Sequence, residues 1–300
     1  MYHATRCVRI DASLDGARLD KALAACLPGV GLRARRRAWE THEVLVDGHP
    51  RPKGYTVRAG QLVCLRPREG GPPDAQSLLG LVRVVAENPD WAALAKPGGL
   101  HTEALAGRPG ESVDMVLDRF WPGRGAVLLN RLDCLTSGLV LAGFGPLARE
   151  RFRALEDAAA VEKRYLALVH GHVAAPFVCG NALDTADRAR ARVLPAQAPA
   201  LRHTVVTPLA RPAEADATLV RAVILKGARH QIRAHLAHAG HPICGDPVYG
   251  PADEATAWPV MHLHHARVSF ADFTACCVPD WPHCADAVAR AVAAEGMDSR

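Results

Sequence analysis

The sequence predicts an α+β protein in two parts: a small N-terminal α/β domain, then a larger domain on a mixed, largely antiparallel sheet. Three observations predict it. Strand-like and helix-like runs are interleaved without the strict alternation of a parallel sheet, a Gly/Pro-rich stretch interrupts the chain near residue 70, and the charge balance changes across that stretch. The chain has 300 residues, 49% hydrophobic and 22% charged, enough for one sizeable core plus a small second domain. Residues 1–70 hold 13 Lys/Arg against 7 Asp/Glu, a balance of +6, while the remainder carries −1. A basic end suits a polyanionic partner, and a solvated basic face without a partner accounts for it equally well.

The first domain is expected over residues 14–68. In ARLDKALAACLPG, Leu19, Leu23 and Leu27 recur at fourfold spacing, which predicts a short helix stopped by Pro28 and Gly29. RARRRAWETH predicts a second, basic helix. VLVDGHPRPKGYTV reads as a hairpin about Asp47 and Gly48, and QLVCLRP as a further strand. REGGPPDAQS has no periodicity, so a linker is expected over 69–80 and the larger domain over 81–300.

In that domain LVRVVA and WAALAK predict two strands joined by the turn Glu87, Asn88, Pro89, Asp90. Further strands are expected at VLLNRL, LVLAGF, KRYLALVHG, RHTVVTPLA and LVRAVIL, with helices at PLARERFRALEDAA and HQIRAHLAHAG. The nine cysteines, at 7, 26, 64, 134, 179, 244, 276, 277 and 284, show no C-x-x-C spacing and read as reduced, mostly buried thiols. With no signal-like apolar N-terminus and no eighteen consecutive apolar residues, the expected setting is the cytoplasm, without membrane attachment.

Asp133 stands where the apolar run AVLL meets the polar turn RLDCLTSG, before a second apolar run. A half-buried carboxylate there either caps the Thr136/Ser137/Gly138 turn or carries chemistry. In VEKRYLALVHG the period of two places Lys163 and Tyr165 on one strand face. KGARHQIRAHLAHAGHPICGDPVYG is denser in polar groups than a structural segment needs, with Arg229, His230, Gln231 and Arg233 entering a helix.

Together these stretches resemble the RluA family of pseudouridine synthases, enzymes that act on uridines of large-subunit ribosomal RNA and some transfer RNAs. The family pattern His-Arg-Leu-Asp, two residues, Thr-Ser-Gly is similar to Asn130 through Gly138, and its Lys-x-Tyr strand to Lys163 and Tyr165. His-Gln-Ile-Arg followed by Gly-His-Pro-Ile, Gly-Asp and Tyr-Gly is similar to His230–Arg233, Gly240–Ile243, Gly245–Asp246 and Tyr249–Gly250; AKPGGLHT is a weaker match. The resemblance implies Asp133 as catalytic carboxylate, Arg233 as its cationic partner, Tyr165 as the ring that packs on the target uracil, and Asn130, Arg131, Lys163, Arg229, His230 and Gln231 as substrate contacts.

The N-terminal segment is similar to the small RNA-binding domain of ribosomal small-subunit protein four, which implies phosphate contacts by Arg33, Arg35, Arg36, Arg37 and Lys53. Gly31 and Leu32 stand where that domain usually has Ser-Arg, and His42 where Gly is usual. Inside the catalytic motifs Asn130 replaces His, and Ala228 stands where many members carry Arg.

The implied activity is isomerisation of uridine to pseudouridine in structured RNA, ribosomal rather than transfer RNA because of the appended domain, by a monomer without metal or cofactor. A zinc enzyme is the first rival, since His262, His264 and His265 lie near Cys276, Cys277, His283 and Cys284, but the spacings fit no standard zinc pattern. A methyltransferase is the second, and the chain has neither G-x-G-x-x-G nor G-x-x-x-x-G-K. A non-catalytic RNA-binding or ribosome-assembly protein is the third.

Overall fold

The computed structural model describes residues 6–26, 42–51, 54–67, 78–104, 111–187, 189–212, 215–251 and 258–296. Two compact units divide the chain, residues 1–75 and 76–300. The basic helix expected over RARRRAWETH, the docking residues Arg33, Arg35, Arg36, Arg37 and Lys53, and most of the linker lie outside the described residues.

In the first unit, strands β1 (Arg6–Arg9), β2 (His42–Val46), β3 (His49–Pro50) and β4 (Leu62–Pro67) form an antiparallel sheet in the order β1-β4-β2-β3. The β2–β3 turn is the Asp47-Gly48 pair, both at positive φ (49° and 79°), as a tight hairpin of right-handed twist demands. Helix α1 (Leu19–Ala22) buries Leu19, Ala22 and Leu23 against Val44, Val46, Val63 and Leu65. One expectation is corrected here. Cys7 and Cys64 are not free thiols, because the β1–β4 register sets them directly opposite, with Cα atoms 4.1 Å apart, and they form a disulfide. Their separation of 57 residues hides that pairing from the sequence. The other seven cysteines are free.

The second unit is α+β. Its sheet runs β10 (Phe177–Cys179), β13 (Thr204–Ala210), β14 (Ala217–Ile224), β9 (Glu162–His170), β15 (Leu263–Phe270), β8 (Ser137–Gly143), β6 (Trp91–Lys96), β5 (Arg83–Glu87). Strand β7 (Val127–Leu128) pairs with β8, and β16 (Phe273–Cys276) with β15. Every pairing is antiparallel except β15 with β8. A separate antiparallel arm is made by β11 (Asn181–Asp184) and β12 (Arg192–Gln197). The β5–β6 hairpin closes where expected, with Asn88 Oδ1 accepting the backbone N–H groups of Asp90 and Trp91 at 3.0 and 2.8 Å.

Apolar side chains cover both faces of the central strands, so β9 reads as a nearly continuous buried run. One face packs Tyr165, Ala167 and Val169 with Ile232 and Leu236 of helix α4 (Gln231–His238). The opposite face packs Leu166 and Leu168 with Ala287, Val288 and Ala291 of helix α5 (Ala285–Glu295). Helix α3 (Ala148–Asp157) buries Phe152 against Leu139, Leu141 and Phe270, and α2 (Leu117–Phe120) adds Leu117 to the first cluster. At the parallel contact Gly138 has φ +105°, and a Cβ there would lie 2.4 Å from the carbonyl oxygen of His265. Only glycine lets β8 start so close to β15. Among the described residues no helix is long and apolar enough to cross a membrane.

Candidate active site

Asp133 sits in the turn that leads into β8, and two neighbouring segments fix that turn by its backbone. Thr102 Oγ1 donates to the Leu132 carbonyl at 2.9 Å and accepts the Leu132 N–H at 3.1 Å. Lys96, at the buried end of β6, donates from Nζ to the carbonyls of Pro97, Leu100 and Cys134 at 2.9, 2.8 and 3.0 Å. Burial pushes the Lys96 ammonium down to about 8, with Cys134 and Asp133 pulling it back up. The AKPGGLHT segment is therefore a brace for the aspartate turn. Replacing Lys96 by Met leaves buried carbonyls without a donor, and the expected cost is about 3 kcal/mol of stability together with slower turnover. Urea unfolding alongside kinetics on RNA reads both, and a variant of unchanged stability would remove the brace from this account.

Within the turn, Thr136 N–H donates to the backbone carbonyl of Asp133 at 3.1 Å. The carboxylate takes no part in that cap, since its Oδ2 accepts from Arg233 Nη1 at 2.8 Å. Arg233 comes from the first turns of α4 and reaches a second carboxylate as well. Its Nε and Nη2 donate to the two oxygens of Asp246 at 2.7 and 2.8 Å. Both members of that second pair are buried, whereas the Asp133 side chain is 24% exposed. Burial would raise the Asp246 carboxyl, but the hydrogen bonds and charge of Arg233, with the N–H groups of Val248 and Tyr249, hold it below the usual range. The guanidinium is thus clamped by Asp246 and presents its remaining edge to Asp133, a planar two-sided role that a lysine ammonium cannot fill.

His230 stands before α4 with φ 56°. Its Nε2 lies 3.7 Å from the same Asp133 Oδ2, beyond hydrogen-bond reach, and its Nδ1 lies 3.1 Å from the Tyr249 hydroxyl. Burial lowers the imidazole below its ordinary value, and the charge of Asp133 works against that shift. Arg233 alone holds Oδ2 by a hydrogen bond, and among the described residues Oδ1 has no partner.

Tyr165 borders the same cleft. One face of its ring is covered by His265, with centroids 4.5 Å apart and planes 14° from parallel, and the residue is buried, so it meets the cleft only as part of its wall. Burial, and then the charge of Asp133, raise the phenol well above its ordinary value. A proton-abstracting role for Tyr165 is therefore disfavoured. His265 behind it is neutral, its titration pushed by burial down to about 3, and its Nδ1 donates to the Leu139 carbonyl at 2.6 Å.

The other residues taken from the sequence line the cleft, but several are committed internally. The cleft measures about 1170 Å³, ample for one nucleotide and its flanks. Asn130 Oδ1 accepts the Leu141 N–H at 2.7 Å and so joins the segment before the turn to β8. Buried Gln231 donates to the Arg202 carbonyl at 2.7 Å and accepts from the Ala228 N–H at 2.9 Å. Lys163 is buried and paired with Glu156, and Arg229 donates to the carbonyls of Thr185 and Asp187 between β11 and β12. Arg131 alone of these is largely exposed, near Glu103 at 3.4 Å.

Sequence reasoning assigned no role to Lys96, Thr102, Asp246 or Tyr249. The available signals were a lysine closing a fully apolar strand and a second aspartate in a Gly-Asp-Pro turn. The histidine-cysteine group of the zinc rival is engaged otherwise: His264 Nε2 donates to the Cys277 carbonyl at 2.9 Å and its Nδ1 meets Ser137 Oγ at 2.8 Å. Among the described residues no three His, Cys, Asp or Glu side chains come together in a metal-holding arrangement.

Residues 90–238 match the family of RNA pseudouridylate synthases, a span that contains Asp133, Tyr165 and Arg233. The chain is 34% identical over 205 residues to an RNA pseudouridine synthase of Helicobacter pylori, covering 63% of this chain and 69% of that protein. It is 30% identical over 246 residues to ribosomal large subunit pseudouridine synthase D of Escherichia coli, covering 78% and 73%. Among solved structures, human RNA pseudouridylate synthase domain containing 1 aligns with a TM-score of 0.54 at 24% identity, covering 66% of this chain and 83% of that one. Its counterpart domain containing 4 aligns with a TM-score of 0.56 at 17% identity, covering 72% and 94%, and both agree in fold.

Proposed function

We propose, since the chain belongs to the RNA pseudouridylate synthase family and is an isomerase of RNA uridines, that Asp133 is the group that opens the glycosidic bond, in large-subunit ribosomal RNA. One observation carries the reading: a partly exposed carboxylate that lines a cleft of nucleotide size is clamped through Oδ2 by a guanidinium and has no partner for Oδ1 among the described residues. The bond from ribose C1′ to uracil N1 breaks, the base turns, C1′ joins uracil C5, the C5 proton leaves, and N1 takes up a proton in its place. Atoms and electrons balance within the nucleotide, so the reaction calls for no redox partner. A carboxylate serves as nucleophile at C1′ or as the base that starts an elimination.

A uridine in folded RNA reaches the cleft only when flipped out, at a cost of a few kcal/mol. Contact of the flipped base with the Tyr165 ring would offset part of that, since stacking a base on an aromatic ring contributes about 1–3 kcal/mol. The unit over residues 1–75 is the proposed RNA-docking domain, and its basic segment, Arg33 to Arg37 with Lys53, supplies phosphate contacts. Ribosomal RNA is favoured over transfer RNA by that domain and by the similarity to a ribosomal large subunit synthase. The setting is the cytoplasm, where ribosomal RNA is assembled, and the protein acts as a monomer without metal or cofactor.

The test is to map pseudouridine in ribosomal and transfer RNA from cells with and without the gene. Loss of signal at one or a few large-subunit positions is expected. Loss confined to transfer RNA would replace the substrate, and identical maps would reject the function.

A further inference from the structure

The carboxylates on the cleft wall are already matched. Glu103 lies 3.4 Å from Arg131, Asp133 is held by Arg233 at 2.8 Å, and Glu156 is paired with Lys163. Arg229 spends its guanidinium on the carbonyls of Thr185 and Asp187. Two cations on that wall stay unmatched among the described residues, Arg149 and Arg153, both exposed and both on α3. Arg149 uses Nε alone, donating to the Leu128 carbonyl at 3.1 Å, which orients its two Nη groups. Arg153 makes no hydrogen bond or ion pair with any described residue.

Four residues apart on a helix, the two share one face and stand about 6 Å apart along its axis. We propose that Arg149 and Arg153 form a track for successive phosphates of the RNA strand that flanks the uridine in the cleft. The inference rests on the uridine-isomerase reading and adds to it a surface outside the reacting centre, on a different unit from the basic N-terminal segment. A polyanionic strand is the fitting partner because the excess charge is planar guanidinium and exposed, while Glu156 and Asp157 on the same helix are paired with Lys163 and Lys226. Contacts of this kind position a strand without reading its sequence, so the track governs affinity and register, and the choice of uridine lies elsewhere.

The experiment uses the full chain and fragments of large-subunit ribosomal RNA, with binding and conversion measured side by side. Arg153→Glu, and Arg149→Ala with Arg153→Ala, are compared with Arg151→Ala, which removes a charge from the same helix where it is paired with Asp90 at 2.8 Å. The two track variants should raise KM roughly tenfold near physiological salt and lower the slope of log affinity against log salt by about 0.7 for each phosphate no longer neutralised. Turnover at saturating RNA should fall far less than KM rises, and Arg151→Ala should move neither quantity. Unchanged KM and salt slope in Arg153→Glu, with wild-type conversion intact, overturns the track and leaves the function standing. A wild-type protein that binds RNA through this slope but makes no pseudouridine overturns the function and leaves the track.

Discussion

Asp133→Asn is expected to make no detectable pseudouridine while binding RNA as tightly as the parent protein. The loss should be at least about 10³–10⁴-fold in turnover, which corresponds to roughly 4–5.5 kcal/mol of barrier. Asparagine keeps the shape of the side chain, and with its amide oxygen turned toward Arg233 Nη1 it keeps that hydrogen bond. It loses the charge and the nucleophilic or basic oxygen. Stability should change little, because the position is 24% exposed and Arg233 retains two hydrogen bonds to Asp246, leaving no buried cation without a partner. Release of tritium from RNA labelled at uracil C5 measures the chemistry, and filter binding measures affinity. A variant that still releases tritium would remove Asp133 from the mechanism, and one that loses binding in step with activity would move it to the docking surface.

Much of the second unit was legible because its local signals are strong. The Asn-Pro-Asp turn announces the β5–β6 hairpin, and the apolar spacing of α3 and α4 places both helices. Strand β15 was not read: LHHARVSF carries two histidines that only burial explains, and its parallel pairing with β8 joins residues more than 120 apart. The arm strand β12, RVLPAQ, is mostly exposed and holds a proline, so it lacks the alternation that marks a half-buried strand. Helix α5 was also passed over, although Gly296 at φ 57° ends it as a left-handed cap. At the site, family resemblance named the pairing of Asp133 with Arg233, which stand 100 residues apart. No local pattern shows that the same guanidinium is anchored by Asp246. Nor does any show that Lys163 and Gln231, read as substrate contacts, spend their polar atoms inside the protein.

The anchoring by Asp246 leads to the second large effect, for Arg233→Leu. Removing the guanidinium strips Asp133 of its orienting cation, so activity should vanish as in Asp133→Asn. Unlike that variant, it also leaves the buried carboxylate of Asp246 with two backbone N–H groups and no countercharge, which costs about 3–5 kcal/mol. The pH dependence separates this cause from simple loss of packing. In the parent protein Asp246 titrates below its unfolded value, so its contribution is present above the unfolded carboxylate range and is lost as pH falls through the folded value. In Arg233→Leu burial is opposed only by the N–H groups of Val248 and Tyr249 and raises that carboxyl, so the penalty is present near neutrality and is relieved as acid protonates it. The gap in urea midpoint between parent and variant should therefore be wide at pH 7.5 and narrow toward pH 5. Arg233→Lys should recover part of the stability but little activity, since one ammonium cannot hold both oxygens of Asp246 and still reach Asp133. A gap independent of pH would mean that the guanidinium acts by filling space, and that Asp246 is not its electrostatic anchor.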